Sequence, residues 1–251
     1  MNLYIISLLE AMIQDKLFAF SLLNIVKSAV YLCDLQQLAI KLGNVADFYL
    51  DFLQKIDFLP AESFKKNLFG PFDLHDKNLD PTIEKVLNKM TQEKIVPLVA
   101  VPVHLYYTDE KLIHFVGGLV RFENEDSGYA FLVDLSIAKS DIKHIPQNSS
   151  YVIDIIKSYD DGEKLALRDL VRSKGLNYNQ FQKDCKICFG DTFYSFLLKL
   201  RLMEAAADII YTPKSLKEIA FNNKFLDYGN MYKTFVRCGI NPKQIPRLAN
   251  L

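Results

Sequence analysis

The chain has 251 residues, half of them hydrophobic and 24% charged, with 30 basic side chains against 30 acidic ones. That balance excludes a disordered chain and leaves room for one large domain or two ordinary ones. The neutral total hides a division. From Lys164 onward 15 Lys and Arg face 7 Asp and Glu, against 15 and 23 before it, so a C-terminal third near +8 follows a part near −8. Basic surfaces attract phosphate, and an acidic partner limits nonspecific adhesion.

The first 57 residues are runs of helix formers broken near Cys33-Asp34 and at Gly43-Asn44, which predicts two or three helices over 3–57. The opening MNLYIISLLEAMIQDKLFAFSLLNIVKSAVYL is apolar, but Glu10, Asp15 and Lys16 interrupt it before the ~20 residues of a membrane span. It has neither a basic n-region nor a small-residue cleavage site, and reads as a buried or partner-facing helix with no membrane partner. Cys33, Cys185, Cys188 and Cys238, with no secretory signal, point to a reducing, cytoplasmic location. From Pro60 to Pro81 the pattern dissolves into the loop-like FGPFDLHDKNLDP, and a short helix is expected over Thr82–Lys94.

PLVAVPVHLYY, LIHFVGGLVRF and GYAFLVDLSIA follow, rich in β-branched and aromatic residues and separated by turn chemistry at Thr108–Lys111 and Glu123–Ser127. They predict a three-stranded antiparallel meander, with Pro97 and Pro102 marking an edge or irregular first strand. His104 and His114 lie on adjacent strands, and His75 sits among Asp73, Asp76 and Asp80. Their spacing matches no compact metal motif, so isolated strand histidines and a solvated acidic loop are set against a His/Asp metal site. Lys139–Ser150 reads as a linker, and only helices are expected from Tyr151 onward.

Two C-terminal segments share a layout. LALRDLVRSKGLNYNQFQKDCKICFG gives a helix, a turn at Gly175 and a second helix opened by Asn177, whose side-chain oxygen can cap it. SLKEIAFNNKFLDYGNMYKTFVRCG offers a capping box in Ser215 and Glu218, a left-handed turn from Asn222-Asn223, and Asp227 as the next cap. FYSFLLKLRLMEAAADIIYT between them suits one long helix. Cys185 and Cys188, at i and i+3, set core packing against a metal or redox role; zinc needs about four ligands and no second CxxC or HxxxH is present.

The run from Leu165 to Leu248, a third of the chain, resembles the AraC/XylS DNA-binding domain. The likeness rests on Gly175, Phe181, Gly190, Arg201-Leu202, Ala205, the SLKEIA run Ser215–Ala220, Phe225, Phe235, Gly239 and Pro242, in order and nearly without gaps. Three departures stand out: Lys224 where the family has Gly, Cys185 where it favours Phe, and a Phe235–Pro242 stretch one residue short. With Lys224 in place, the neighbouring Asn residues are expected to make that turn.

The fold class expected is therefore an α+β N-terminal domain over 1–145, helices plus a small antiparallel sheet. An all-α domain over 151–251 follows, with two helix-turn-helix units joined by a linker helix. The resemblance implies base contacts from Asn179, Gln182, Lys183, Tyr228, Asn230 and Lys233, where Asn and Gln suit adenine and Lys suits guanine. Arg172, Lys174, Lys186, Arg201, Lys214 and Arg237 are candidates for phosphate contact, with Arg201 alternatively a brace for the linker helix.

The function expected is transcription regulation on promoter or operator DNA, with no cofactor. RNA polymerase, a second copy of the chain and a small-molecule effector at the N-terminal domain are further partners. The alternative is an interaction protein that acts on another regulator or on RNA polymerase without touching DNA. An enzyme is not expected, because Cys33 lacks an activating neighbour and no Ser/His/Asp, phosphate-loop or dinucleotide pattern is present. The apolar N-terminal helices must cover one face of the meander or form a dimer interface.

Overall fold

The computed structural model describes residues 2–12, 35–90, 97–144, 146, 149–159 and 166–248. Cys33-Asp34, Glu163 to Leu165 and the end of the helix expected over Thr82–Lys94 lie outside them. In chain order come α1 (Leu3–Met12), α2 (Leu35–Lys55), β1 (Phe64–Asp73), α3 (Pro81–Met90), β2 (Ala100–Thr108), β3 (Leu112–Phe122) and β4 (Ser127–Ala138). Then follow α4 (Tyr151–Ser158), α5 (Leu167–Ser173), α6 (Tyr178–Phe189), α7 (Phe193–Tyr211), α8 (Leu216–Asn222) and α9 (Tyr228–Arg237). Past Tyr151 the described residues form helices and turns only.

Gly43-Asn44 does not break the helix: α2 runs uninterrupted for 21 residues. Its buried stripe Ala39, Leu42, Ala46, Tyr49, Leu53 and Ile56 recurs every three or four residues, and Val45 and Phe52 widen it. Interior glycine costs a helix about 1 kcal/mol, which burial of such a stripe outweighs. Gly43 also lies where α2 passes β1: a Cβ there would sit 3.7 Å from the Phe69 ring. Its carbonyl accepts from Lys65 Nζ at 3.3 Å.

The four strands run antiparallel in the order β1-β4-β3-β2. The meander β2–β4 falls on the three segments rich in β-branched and aromatic residues, with Pro102 on an edge strand. Ten residues of the stretch expected to be loop instead form strand β1. Its signal is weak because only Leu68 and Phe72 point into the core, with Gly70 and Pro71 between them. As the other edge strand it tolerates a proline that cannot donate to a ladder. Gly118 on β3 is needed for close approach: a Cβ there, at φ +152°, would lie 1.9 Å from the Phe131 carbonyl oxygen.

Each sheet face carries one layer of helix. Val116, Val120, Phe122, Ala130 and Leu132 pack with Ile83, Val86, Leu87 and Met90 of α3. Ile113, Phe115 and Leu119 of β3, with Phe131, Val133, Leu135 and Ile137 of β4, form the other face, against which α2 packs.

The opposite side of α2 meets the C-terminal helices. Phe52 stacks on Phe235 of α9, with ring centroids 6.2 Å apart. Phe58 stacks on Phe196 of α7 at 5.8 Å, and Tyr4 of α1 meets Phe189 of α6 at 6.0 Å. Lys55 Nζ donates to the Gly239 carbonyl at 3.3 Å. One continuous apolar core therefore runs from the sheet through α2 into α9. The N-terminal helices cover a sheet face and the C-terminal helices at once.

Truncating Phe52, which is fully buried, removes its ring packing on Phe48 and on Phe235 of α9. Phe52→Ala is expected to cost about 3–5 kcal/mol in urea denaturation, as for other buried aromatics. A loss below about 1 kcal/mol would mean that the contact to α9 is not packed.

Candidate nucleic-acid interface

The C-terminal helices contain the same construction twice. α5 and α8 are each 7 residues long, and each is followed two residues later by a residue at positive φ, Gly175 at 71° and Lys224 at 57°. A side chain then caps the next helix. Asn177 accepts from the Asn179 and Gln180 N–H groups at 2.9 and 3.2 Å, and Asp227 from the Asn230 N–H at 2.7 Å. Four, seven and eight residues past the cap, α6 buries Phe181, Asp184 and Cys185 and α9 buries Met231, Thr234 and Phe235. Gly190 and Gly239, at φ 75° and 73°, stand just beyond the second helices. α6 has 12 residues and α9 has 10.

The left-handed turn before α9 is made by Lys224 itself, not by the asparagines, since Asn223 has φ −94°. Asn223 is held elsewhere: its side-chain amide donates to Asp208 of α7 at 2.8 Å and to the Ile219 carbonyl at 2.9 Å. Lysine in this conformation carries a strain of about 1 kcal/mol that glycine would not. Ser215 and Glu218 form the expected capping box, and the N–H of Ser215 is the main reason the Glu218 carboxyl sits below its ordinary pKa.

Of the candidate base-contact residues, Asn179, Lys183, Asn230 and Lys233 are exposed. Gln182 and Tyr228 are half-buried; the Gln182 amide donates to the Tyr178 hydroxyl at 3.0 Å. Among the candidate phosphate contacts, Arg172, Lys174, Lys186 and Arg237 are exposed. Arg201 is half-buried on α7, where burial lowers its pKa, a position suited to bracing that helix. Lys214 pairs with Asp208 at 3.7 Å.

One group that anchors α6 was not anticipated. Asp184 is buried and accepts from the Tyr151 hydroxyl at 2.6 Å, the Gln180 amide at 3.0 Å and the Ser149 hydroxyl at 3.4 Å, tying α4 to α6. A carboxylate at a core position of a helix was the available signal. Beside it, burial raises the Cys185 thiol to about 12 and the Cys188 thiol to about 11. The Cys188 thiol donates to the Ser149 carbonyl at 3.2 Å. Both side chains pack as small hydrophobes.

A second polar cluster lies under α3 on the sheet. His114 faces Asp134 through Nδ1 at 2.9 Å and Asp109 through Nε2 at 3.0 Å. The Ser136 hydroxyl lies 3.0 Å from Nδ1 and donates to Asp134 at 2.8 Å. Tyr107 stacks on the imidazole at 4.4 Å, with Lys85 Nζ 4.2 Å from the Tyr107 ring centroid. His114 is thus not an isolated strand histidine, and Ser, His and Asp do meet here although no motif announced them. The β3–β4 register, which pairs His114 with Ser136, brings them together. Ser136 and Asp134 share one ring nitrogen and Asp109 takes the other, so neither is open to accept a proton from a nucleophile. The loop carboxylates near His75 serve turns: Asp73 accepts from the His75 N–H and Asp76 from the Asn78 N–H, both at 2.8 Å. Asp80 accepts from the Thr82 N–H at 2.8 Å.

No family model, curated protein or solved structure matches the chain.

Two outcomes follow from these environments. Iodoacetamide at pH 8 should leave Cys185 and Cys188 unmodified in the native fold and alkylate both after denaturation, as read by peptide mass; native labelling would contradict the buried thiols. Asp109 is held far below the ordinary carboxylate range, first by its bond to His114 and then by the Leu112 and Lys111 N–H groups. In the unfolded chain it takes a proton first, so its stabilisation is full above about pH 4 and is lost as pH falls through the folded value. Asp109→Asn should lower stability at pH 7 and flatten the acid limb below pH 4 in urea titrations; an unchanged limb would contradict the pairing.

Proposed function

We propose that the chain is a sequence-specific DNA-binding transcription regulator of the AraC/XylS type, in which α6 and α9 enter successive major grooves. The observation that carries this reading is the duplicated pair of helices, with matching turns, caps and buried positions on both sides of α7. In this reading α5–α6 and α8–α9 are two helix-turn-helix units. Their second helices present Asn179 and Lys183, and Asn230 and Lys233, to solvent. At 1.5 Å per residue the 19 residues of α7 span about 28 Å, a rigid spacer of the order of the ~34 Å between neighbouring grooves. The excess of 15 basic over 7 acidic residues from Lys164 onward supplies attraction to phosphate. Promoter DNA is the partner this implies, with RNA polymerase and a second copy of the chain as further ones, in the cytoplasm.

The test is binding of the purified chain to genomic fragments at low salt, followed by footprinting of the retained sites. Affinity should fall steeply with salt, and Lys183→Ala should weaken binding and change the base preference beneath α6, at a cost of about 1–3 kcal/mol. Removal of a phosphate contact such as Arg172 should instead reduce the salt slope by about one. Absence of retained fragments at low salt would overturn the proposal.

One observation favours a second reading, a protein-interaction role without DNA. Phe221 and Leu226, beside and within the second turn, are 81% and 91% exposed. Under that reading Gln182→Ala and Lys183→Ala leave promoter activity unchanged while Phe221→Ser abolishes it.

A further inference from the structure

A cleft of about 530 Å³ opens where the N-terminal elements meet the end of α6. One wall is the loop after α2, carrying Asp57, Phe58 and Leu59, together with the turn after β4, carrying Asp141 and Lys143. The facing wall is the last turn of α6, from Lys186 and Ile187 to Gly190. Asn2 closes the floor: its amide donates to the Cys188 carbonyl, and its side-chain oxygen accepts from the Ile5 N–H at 3.1 Å. The volume is that of a small-molecule site.

The charges in this cleft are balanced and divided. Lys143 and Lys186 approach from opposite walls, and among the described residues neither they nor Asp57 is held in an ion pair. Asp57 and Asp141 supply two carboxylates, of which Asp141 already has a partner. α6 ends in one wall, and a helix C-terminus carries partial negative charge that favours a cation. A simple anion would leave Asp57 and the end of α6 unmatched, and a simple cation would leave both lysines unmatched. Phe58, Leu59 and Ile187 offer apolar contact between the charged groups.

We infer that this cleft binds a small zwitterion of the amino-acid class with an apolar side chain. Lys143 and Lys186 take the carboxylate, and Asp57 with the carbonyl end of α6 takes the ammonium group. The site stands without DNA; its meaning as a regulatory site rests on the proposed function, because the bound molecule joins the N-terminal elements to the helix that carries Asn179 and Lys183.

The test needs no DNA and uses the full chain. Leucine, methionine and phenylalanine are titrated by calorimetry and thermal shift, beside 4-methylpentanoate and 3-methylbutylamine, which lack one charge each. At least one amino acid should bind and raise Tm, and both single-charge analogues should bind at least about tenfold more weakly. Lys143→Gln and Asp57→Asn should each weaken binding about tenfold with the unliganded Tm unchanged, Asn being well suited to the left-handed φ of 53° at position 57. No binding at roughly 10 mM, equal binding of 4-methylpentanoate, or full affinity in both variants would each overturn the inference. A DNA experiment that fails while leucine or its congeners bind would remove the regulatory meaning and leave the site.

Discussion

The rest of the structure depends on α2 being buried on two sides. A helix with one apolar stripe can sit on a sheet and show its other face to water. This one also places Phe52 on Phe235 and, through the loop that follows it, Phe58 on Phe196. The sheet, α2 and the C-terminal helices consequently share one hydrophobic core. Tyr49 shows the cost of such burial: its hydroxyl is fully enclosed with no partner among the described residues, and burial, reinforced by Glu204, pushes its pKa up. Motion of the N-terminal elements relative to α9 has to repack aromatic rings.

Within the C-terminal helices, stability and presentation are separated residue by residue. The buried positions after each cap hold the second helix in place, while positions between them remain free to face a partner. Asp184 makes the first pair more rigid than apolar packing alone, because its carboxylate gathers three donors from α4, α6 and the segment before α4. In the second pair Asn223 ties α8 to α7 through Asp208, and Lys224 takes the strained turn. The second turn thus keeps a left-handed residue, and α9 ends after 10 residues, with Gly239 at positive φ just beyond it.

The polar cluster around His114 and the cleft beside α6 lie in different parts of the fold and do different things. The first saturates its own groups, with both imidazole nitrogens on carboxylates and the serine bonded inward, and so braces the β2–β3 turn against β4. The second leaves opposite charges facing across open space. Buried polar groups that satisfy one another stabilise a fold, whereas unpaired charges lining a cavity are available to a ligand.

Much of the architecture was legible in the order of residues alone. Runs of β-branched and aromatic residues between turns located β2, β3 and β4 to within about three residues, and the caps Asn177, Ser215 and Asp227 located three helix starts. These features are local, since strand composition, turn chemistry and side-chain capping act over only a few residues. Strand β1 was not legible, because an edge strand with two inward residues and a Gly-Pro pair carries little pattern. Nor was the continuity of α2 through Gly43, where neighbouring Phe69 and Lys65 accommodate the glycine. The His114 cluster, the Asp184 anchor and the cleft join residues 20 to about 185 positions apart. Only strand register and helix packing bring such residues together, so the tertiary structure decided them: pairing at that range depends on where whole elements come to rest, not on any property of the neighbouring sequence.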